Sequence, residues 1–196
     1  MTPTRDQAWE LLTTYTKSES LVRHGLSVEA VMRHFARTYG EDEEKWGVIG
    51  LVHDLDWEMY PQEHCAKTSE ILREAGWPED YIRSVMSHAW GFVTDVKPEH
   101  RMEKVLYATD ELTGLITATA LMRPSRSVLD MQAKSVKKKW KDKGFAAGVD
   151  REVIARGAEM LEMEVGELIT ETIAAMREVA DEIGLAGDVE HRGQVG

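Results

Sequence analysis

The sequence predicts an all-α fold, and three observations carry that expectation. Apolar residues recur at helical spacing along almost the whole chain. Glycine and proline fall where helices would stop and start. No stretch shows the strict apolar/polar alternation, over roughly four to eight residues, that marks a half-buried strand between turns.

The elements follow in order. Trp9, Leu12 and Tyr15 mark a short first helix. A second runs from about Ser20 to Tyr39, with Leu21, Val28, Val31, Met32 and Phe35 as its apolar stripe. Gly40 closes it, as a glycine at a helix end commonly does. The acids Glu41 to Glu44 favour the N-terminus of a third helix through its dipole, and that helix ends near His53. Pro61 breaks the chain before a fourth helix over about Glu63 to Ala75. Gly76-Trp77-Pro78 reads as a stop and a proline-initiated restart, giving a fifth helix from Glu79 to Ser87 or His88. A polar loop with Gly91 and Pro98 leads into a long helix from about Glu99 to Leu121, ended by Arg123-Pro124-Ser125. A lysine-rich segment, 134–143, precedes a turn from Gly144 to Gly148. Asp150 is the expected N-cap of a helix to about Leu161, and a last helix covers about Glu164 to Ile183.

Composition narrows the function classes. A chain of 196 residues is long enough for one sizeable core. The net charge of −11 argues against a nucleic-acid polymer as partner, because such binding rests on basic surfaces. Charge is uneven: residues 123–143 carry eight Lys or Arg against Asp130 and Asp142, a local +6. No apolar run approaches the roughly 18 residues of a membrane span, and MTPTRDQAWE lacks the apolar core of a secretory signal. Cys65 is the single cysteine, so no intrachain disulfide framework is possible and a reducing, cytoplasmic setting is expected.

The chemistry-bearing residues are His24, His53-Asp54, His64, His88 and Asp110, separated by steps of 29, 1, 10, 24 and 22 residues. Imidazoles with carboxylates suit zinc, iron or manganese. These six come from five expected helices, so they form one site only if those helices pack around one pocket.

The stretches LVRHGLSVEAV, GLVHDLDW and YATDELTGL, around His24, His53-Asp54 and Asp110, carry a resemblance. The chain resembles the HD superfamily of metal-dependent phosphohydrolases, over roughly residues 20–120. SVKKKWKDKGFAAGV resembles the C-terminal extension of a bacterial branch of predicted hydrolases in that superfamily. Length and helical pattern predict a single all-α domain over 1–186, and the glycine-rich tail 187–196 is expected to be flexible. The resemblance implies a helical bundle with an HD core at about 20–120 and a helical extension at about 121–184. It also implies that His24, His53, Asp54 and Asp110 are the ligands of a mononuclear site. His64 and His88 match the two further histidines of dinuclear members, in which the Asp of the pair bridges both metals; in a mononuclear centre they would bind substrate instead. Members that cleave cyclic dinucleotides carry two adjacent histidines before the last Asp; here Ala89 follows His88.

The activity implied is hydrolysis of a phosphate ester or anhydride of a small metabolite, a nucleotide foremost, by water activated on one or two divalent ions (Fe, Mn, Zn, Ni, Co or Mg). His53, Asp54, His64 and His88 are the catalytic candidates. Arg123, Arg126, Lys137 and Lys138 are candidates for contacts to substrate phosphate, or else a solvated basic face. Trp57, Tyr60 and Trp90 either wall the pocket or pack the core. Asp56 and Glu58 either orient His53 or lie in a solvated loop. Two other readings stay open: a di-iron oxygenase of the same superfamily, and a non-catalytic signalling module. The oligomeric state is left open by the sequence.

Overall fold

The computed structural model describes residues 2–142 and 144–187, so Lys143, His191 and most of the expected tail lie outside it. The described residues are all-α, with no strand; two isolated bridges pair single residues. Nine α-helices occur among them: α1 Arg5–Tyr15, α2 Glu19–Tyr39, α3 Glu43–Val52, α4 Ala66–Glu74, α5 Glu79–Met86, α6 Arg101–Leu121, α7 Ala133–Trp140, α8 Arg151–Met160 and α9 Val165–Glu178. None is long and apolar enough to cross a membrane. The chain forms two compact units, Met1–Tyr107 and Ala108–Gly196, divided inside α6 rather than in a linker.

In the first unit, local chemistry sets the helix ends. Thr4 and Gln7 make a reciprocal capping box on α1. Asp42 caps α3 through the Lys45 amide, and Gly40 ends α2 in the left-handed conformation (φ 69°). Glu58, beyond α3, accepts the backbone amides of Lys17 and Ser18 at the start of α2. Glu103 plays the same part for α6, accepting the amides of Glu99 and His100 at 2.7 and 3.1 Å.

The core of this unit is the crossing of α2 on α3, with α1 laid against α3. Val28, Met32, Phe35, Val48, Ile49 and Val52 are fully or almost fully buried there. Two glycines set how close the helices come. A Cβ on Gly50 would stand 3.0 Å from the Val28 carbonyl oxygen, and one on Gly25 would stand 3.2 Å from that of Leu51. The crossing also buries Glu29, which is clasped by Arg5 at 2.8 Å and Arg33 at 2.9 Å. A buried carboxylate needs such partners, since an unpaired one is strongly destabilising.

The fourth helix starts later than the apolar pattern predicts. Pro61–Glu63 form a 3-10 turn, His64 is extended, and Cys65 adopts φ 70°, so α4 begins only at Ala66. His64 therefore precedes the helix instead of opening it.

In the second unit, α7 and α8 both pack on α9. Gly157 of α8 lies on Ala108, where an added Cβ would stand 2.5 Å from the Ala108 Cα. Asp150 caps α8 as expected. Arg151 ties the α7–α8 turn together by donating to the carbonyls of Trp140, Asp142, Phe145, Ala146 and Val149. The last helix is shorter than its apolar pattern suggests. Val179 leaves the helical region (φ −119°), while Ala180, Ile183 and Leu185 remain buried in the turns beyond it.

Candidate metal centre

Five of the six residues singled out from the sequence lie in the first unit, and the fold brings those five together. His24 comes from the first turns of α2, and His53-Asp54 follow α3 directly. The close α2–α3 crossing places the Nε2 atoms of His24 and His53 3.2 Å apart. His64 stands before α4 and His88 in the 3-10 turn Ser87–Ala89 after α5, with their Nε2 atoms 3.3 Å apart. Asp54 lies between the two pairs. Its Oδ2 is 3.7 Å from His24 Nε2 and 3.5 Å from His53 Nε2, while its Oδ1 is 3.7 Å from His64 Nε2 and 3.3 Å from His88 Nε2.

The five side chains thus form two triangles sharing one carboxylate. Triangle edges of 3.2–3.7 Å fit a cation: with bonds of about 2.0–2.2 Å to nitrogen and oxygen, neighbouring ligand atoms sit roughly 2.9–3.5 Å apart. His53, His64 and His88 are buried; Asp54 and His24 are partly open, which gives the centre a face toward solvent.

The outward nitrogens explain why the inward ones are suited to a metal. His53 donates from Nδ1 to the Gly50 carbonyl at 2.7 Å, and His88 donates from Nδ1 to the Val85 carbonyl at 2.6 Å. Each accepting carbonyl belongs to the last turn of a helix, where backbone oxygens lack partners within that helix. A carbonyl can only accept, so Nδ1 carries the proton and Nε2 is the basic nitrogen of each neutral ring. The C-terminal ends of α3 and α5 also carry the negative pole of the helix dipole, which favours a cation by about 0.3–1 kcal/mol each.

His64 is oriented differently. Its Nδ1 donates to Asp56 Oδ1 at 2.8 Å, and the Thr68 amide donates to Asp56 Oδ2 at 2.8 Å. Asp56 is completely buried, and its own amide donates to the Thr68 hydroxyl at 3.2 Å. Burial works against protonation of His64, but the bond to Asp56 and the charges of Asp54 and Asp56 outweigh it and raise its pKa above the ordinary value. Asp56 therefore serves His64, not His53, and is no solvated loop residue. Its signal in the sequence is the HDLD run, but only the reversal of the chain around Pro61 shows which histidine it meets.

Trp57 is half exposed and presents its ring edge-on to His64, with centroids 4.9 Å apart. Tyr60 lies under the Lys67 ammonium, and Trp90 packs on Tyr107 below Lys97. The thiol of Cys65 is buried and lies within 4.8 Å of ligand nitrogens of His64 and His88.

The other candidates belong to the second unit. Asp110 sits on α6, half buried. Arg123 donates to Asp130 at 2.7 Å and to Ser135 at 3.0 Å, so its guanidinium is engaged in holding the segment after α6. Arg126 is exposed in a turn at φ 48°; Lys137 and Lys138 are exposed on α7, with the Lys137 ammonium over Gly166.

No protein-family model, no curated protein and no solved structure matches the chain.

Proposed function

We propose that this chain is a metal-dependent phosphohydrolase of the HD type, hydrolysing a phosphate ester or anhydride of a small metabolite, a nucleotide foremost. One observation carries the reading: Asp54 turns one carboxylate oxygen to His24 and His53 and the other to His64 and His88. That arrangement supports two divalent cations, held as His24–His53–Asp54 and His64–His88–Asp54. Asp110 joins the ligand set on the resemblance of YATDELTGL alone.

The chain's own residues do the following work. Helix ends fix the rings of His53 and His88, and Asp56 fixes His64, so the ligand atoms are in place before a substrate arrives. Asp54 carries the charge that offsets the cations and aligns the two subsites. The partly open side of His24 and Asp54 gives a phosphoryl group its approach, while the buried side excludes bulk water. When bound, divalent cations supply a nucleophile from water at neutral pH and stabilise the charge on the transferring phosphoryl group.

The test is phosphate release by the purified chain loaded with Mn, Fe, Co or Zn, over nucleoside mono-, di- and triphosphates and a chromogenic phosphomonoester. Cation-dependent release that disappears in His53→Ala and Asp54→Ala is the expected result. Full activity in either variant contradicts the reading. So does dioxygen uptake by the iron-loaded protein without any phosphate release, which points to the oxygenase class.

A further inference from the structure

The two triangles on Asp54 are not equivalent. In His24–His53–Asp54, the His53 ring is anchored by a neutral backbone carbonyl. In His64–His88–Asp54, the His64 ring is anchored by a buried carboxylate. We infer that Asp56 is a positioning residue that builds the second cation subsite, through a carboxylate–imidazole–cation relay in which Asp56 holds His64 and never touches the ion.

Three observations carry this. First, His64 lacks the anchoring that the other two buried histidines obtain from a helix end. It follows the 3-10 turn Pro61–Glu63 in extended backbone ahead of α4, and its Nδ1–H goes to a side-chain carboxylate rather than to a backbone carbonyl. Asp56 supplies the missing acceptor at 2.8 Å. Second, Asp56 is itself locked. Its second oxygen takes the Thr68 amide at 2.8 Å, which fixes the carboxylate for His64. The contact that ties the loop carrying Asp54 to the first turn of α4 is the Asp56 backbone amide on the Thr68 hydroxyl, and it survives substitution of the Asp56 side chain. Third, with Nδ1–H directed to Asp56, the neutral His64 ring turns its lone pair toward the Nε2 of His88, whose Nδ1–H is also committed. Two lone pairs held 3.3 Å apart repel unless a proton or a cation lies between them.

A carboxylate behind a ligating imidazole raises its basicity and fixes its ring, and removing such a partner typically weakens metal binding by about 10–100-fold. Here the loss should be confined to one subsite. The inference rests on the proposed dinuclear site, and the experiment separates the two. Titration of the full chain with Mn2+ or Co2+ alone, followed by calorimetry, is expected to show two binding events. In Asp56→Ala one event should weaken by about 10–100-fold and the other should keep its affinity. Asp56→Asn, which keeps the shape but one acceptor, should be intermediate, and it carries the test if the alanine variant fails to fold.

The decisive comparison uses a His64→Ala background, in which Asp56 has no ring left to orient. There the Asp56 substitution should leave cation binding unchanged. Two results overturn the inference while leaving the dinuclear reading intact: both events at wild-type strength in Asp56→Ala and Asp56→Asn, or the same weakening with and without His64. A wild-type chain that binds no cation overturns both.

Discussion

His64 and His88 hold their Nε2 atoms 3.3 Å apart while each commits its Nδ1–H elsewhere, to Asp56 and to the Val85 carbonyl. The pair suits an electrophile, and under the proposed function protons and cations compete for it. Without a cation, His64 has a raised pKa. A raised folded pKa contributes stability that is complete below the unfolded value of about 6.5 and is lost as pH rises through the folded value. A bound cation needs neutral imidazoles, so its contribution runs the other way. Melting curves at a series of pH values should show the cation-free protein losing stability above about pH 6.5, while the gain from added Mn2+ grows over the same range. At 100 times the dissociation constant that gain is about 2.7 kcal/mol. His88→Ala should shrink it.

Trp57 lies edge-on to His64 and half exposed. A paramagnetic cation held by His64 should therefore quench part of the tryptophan fluorescence. The quenching should largely vanish in Trp57→Phe, although five other tryptophans remain. Equal quenching in the variant would place the cation elsewhere.

Gly50 allows α2 to approach α3, and its carbonyl also anchors His53. In Gly50→Ala the new Cβ meets Met32 Cγ at 2.8 Å and the Val28 carbonyl oxygen at 3.0 Å, so the helices must part. Overpacking of this kind costs about 1–3 kcal/mol. For a chain of this size, each kcal/mol lowers Tm by roughly 2–4 °C. Since the same crossing sets the distance from His24 to His53, cation affinity should fall together with Tm.

Glu103 is buried and accepts from Ser84, the amides of Glu99 and His100, and the Arg83 guanidinium. Burial raises its pKa, but these donors outweigh burial and hold it below the ordinary value. A depressed folded pKa contributes stability that is present above the unfolded value of about 4.3 and lost as pH falls through the folded one. Glu103→Gln should cost about 1–3 kcal/mol at neutral pH and flatten the acid limb of the stability curve. An unchanged acid limb would show that another carboxylate dominates there.

The helical architecture was largely legible, because its signals are local. The Gly40 stop, the Asp150 cap and the stripe on α2 each act within a turn of where they stand in the sequence. The five first-unit candidates were legible by residue type and spacing, and four of them sit just outside an α-helix, where ring and carboxylate are free to turn inward. What escaped was set by chain reversal. The apolar pattern runs smoothly from Glu63, yet Cys65 takes a left-handed φ and moves the helix start to Ala66. That kink lets His64 turn back to Asp56, a pairing over eight residues that no periodicity reports. The end of α9 escaped for a related reason: Ile183 and Leu185 are buried in turns, and burial alone keeps them apolar.

The most direct test of the metal centre is the cation content of the purified chain after incubation with Mn2+, Fe2+ or Zn2+ and removal of excess, compared with that of Asp54→Ala. Asp54 is the one side chain shared by both triangles. The arrangement predicts up to two cations per wild-type chain and almost none in Asp54→Ala. A wild-type chain without bound cation, or an Asp54→Ala variant that retains the full complement, would contradict it.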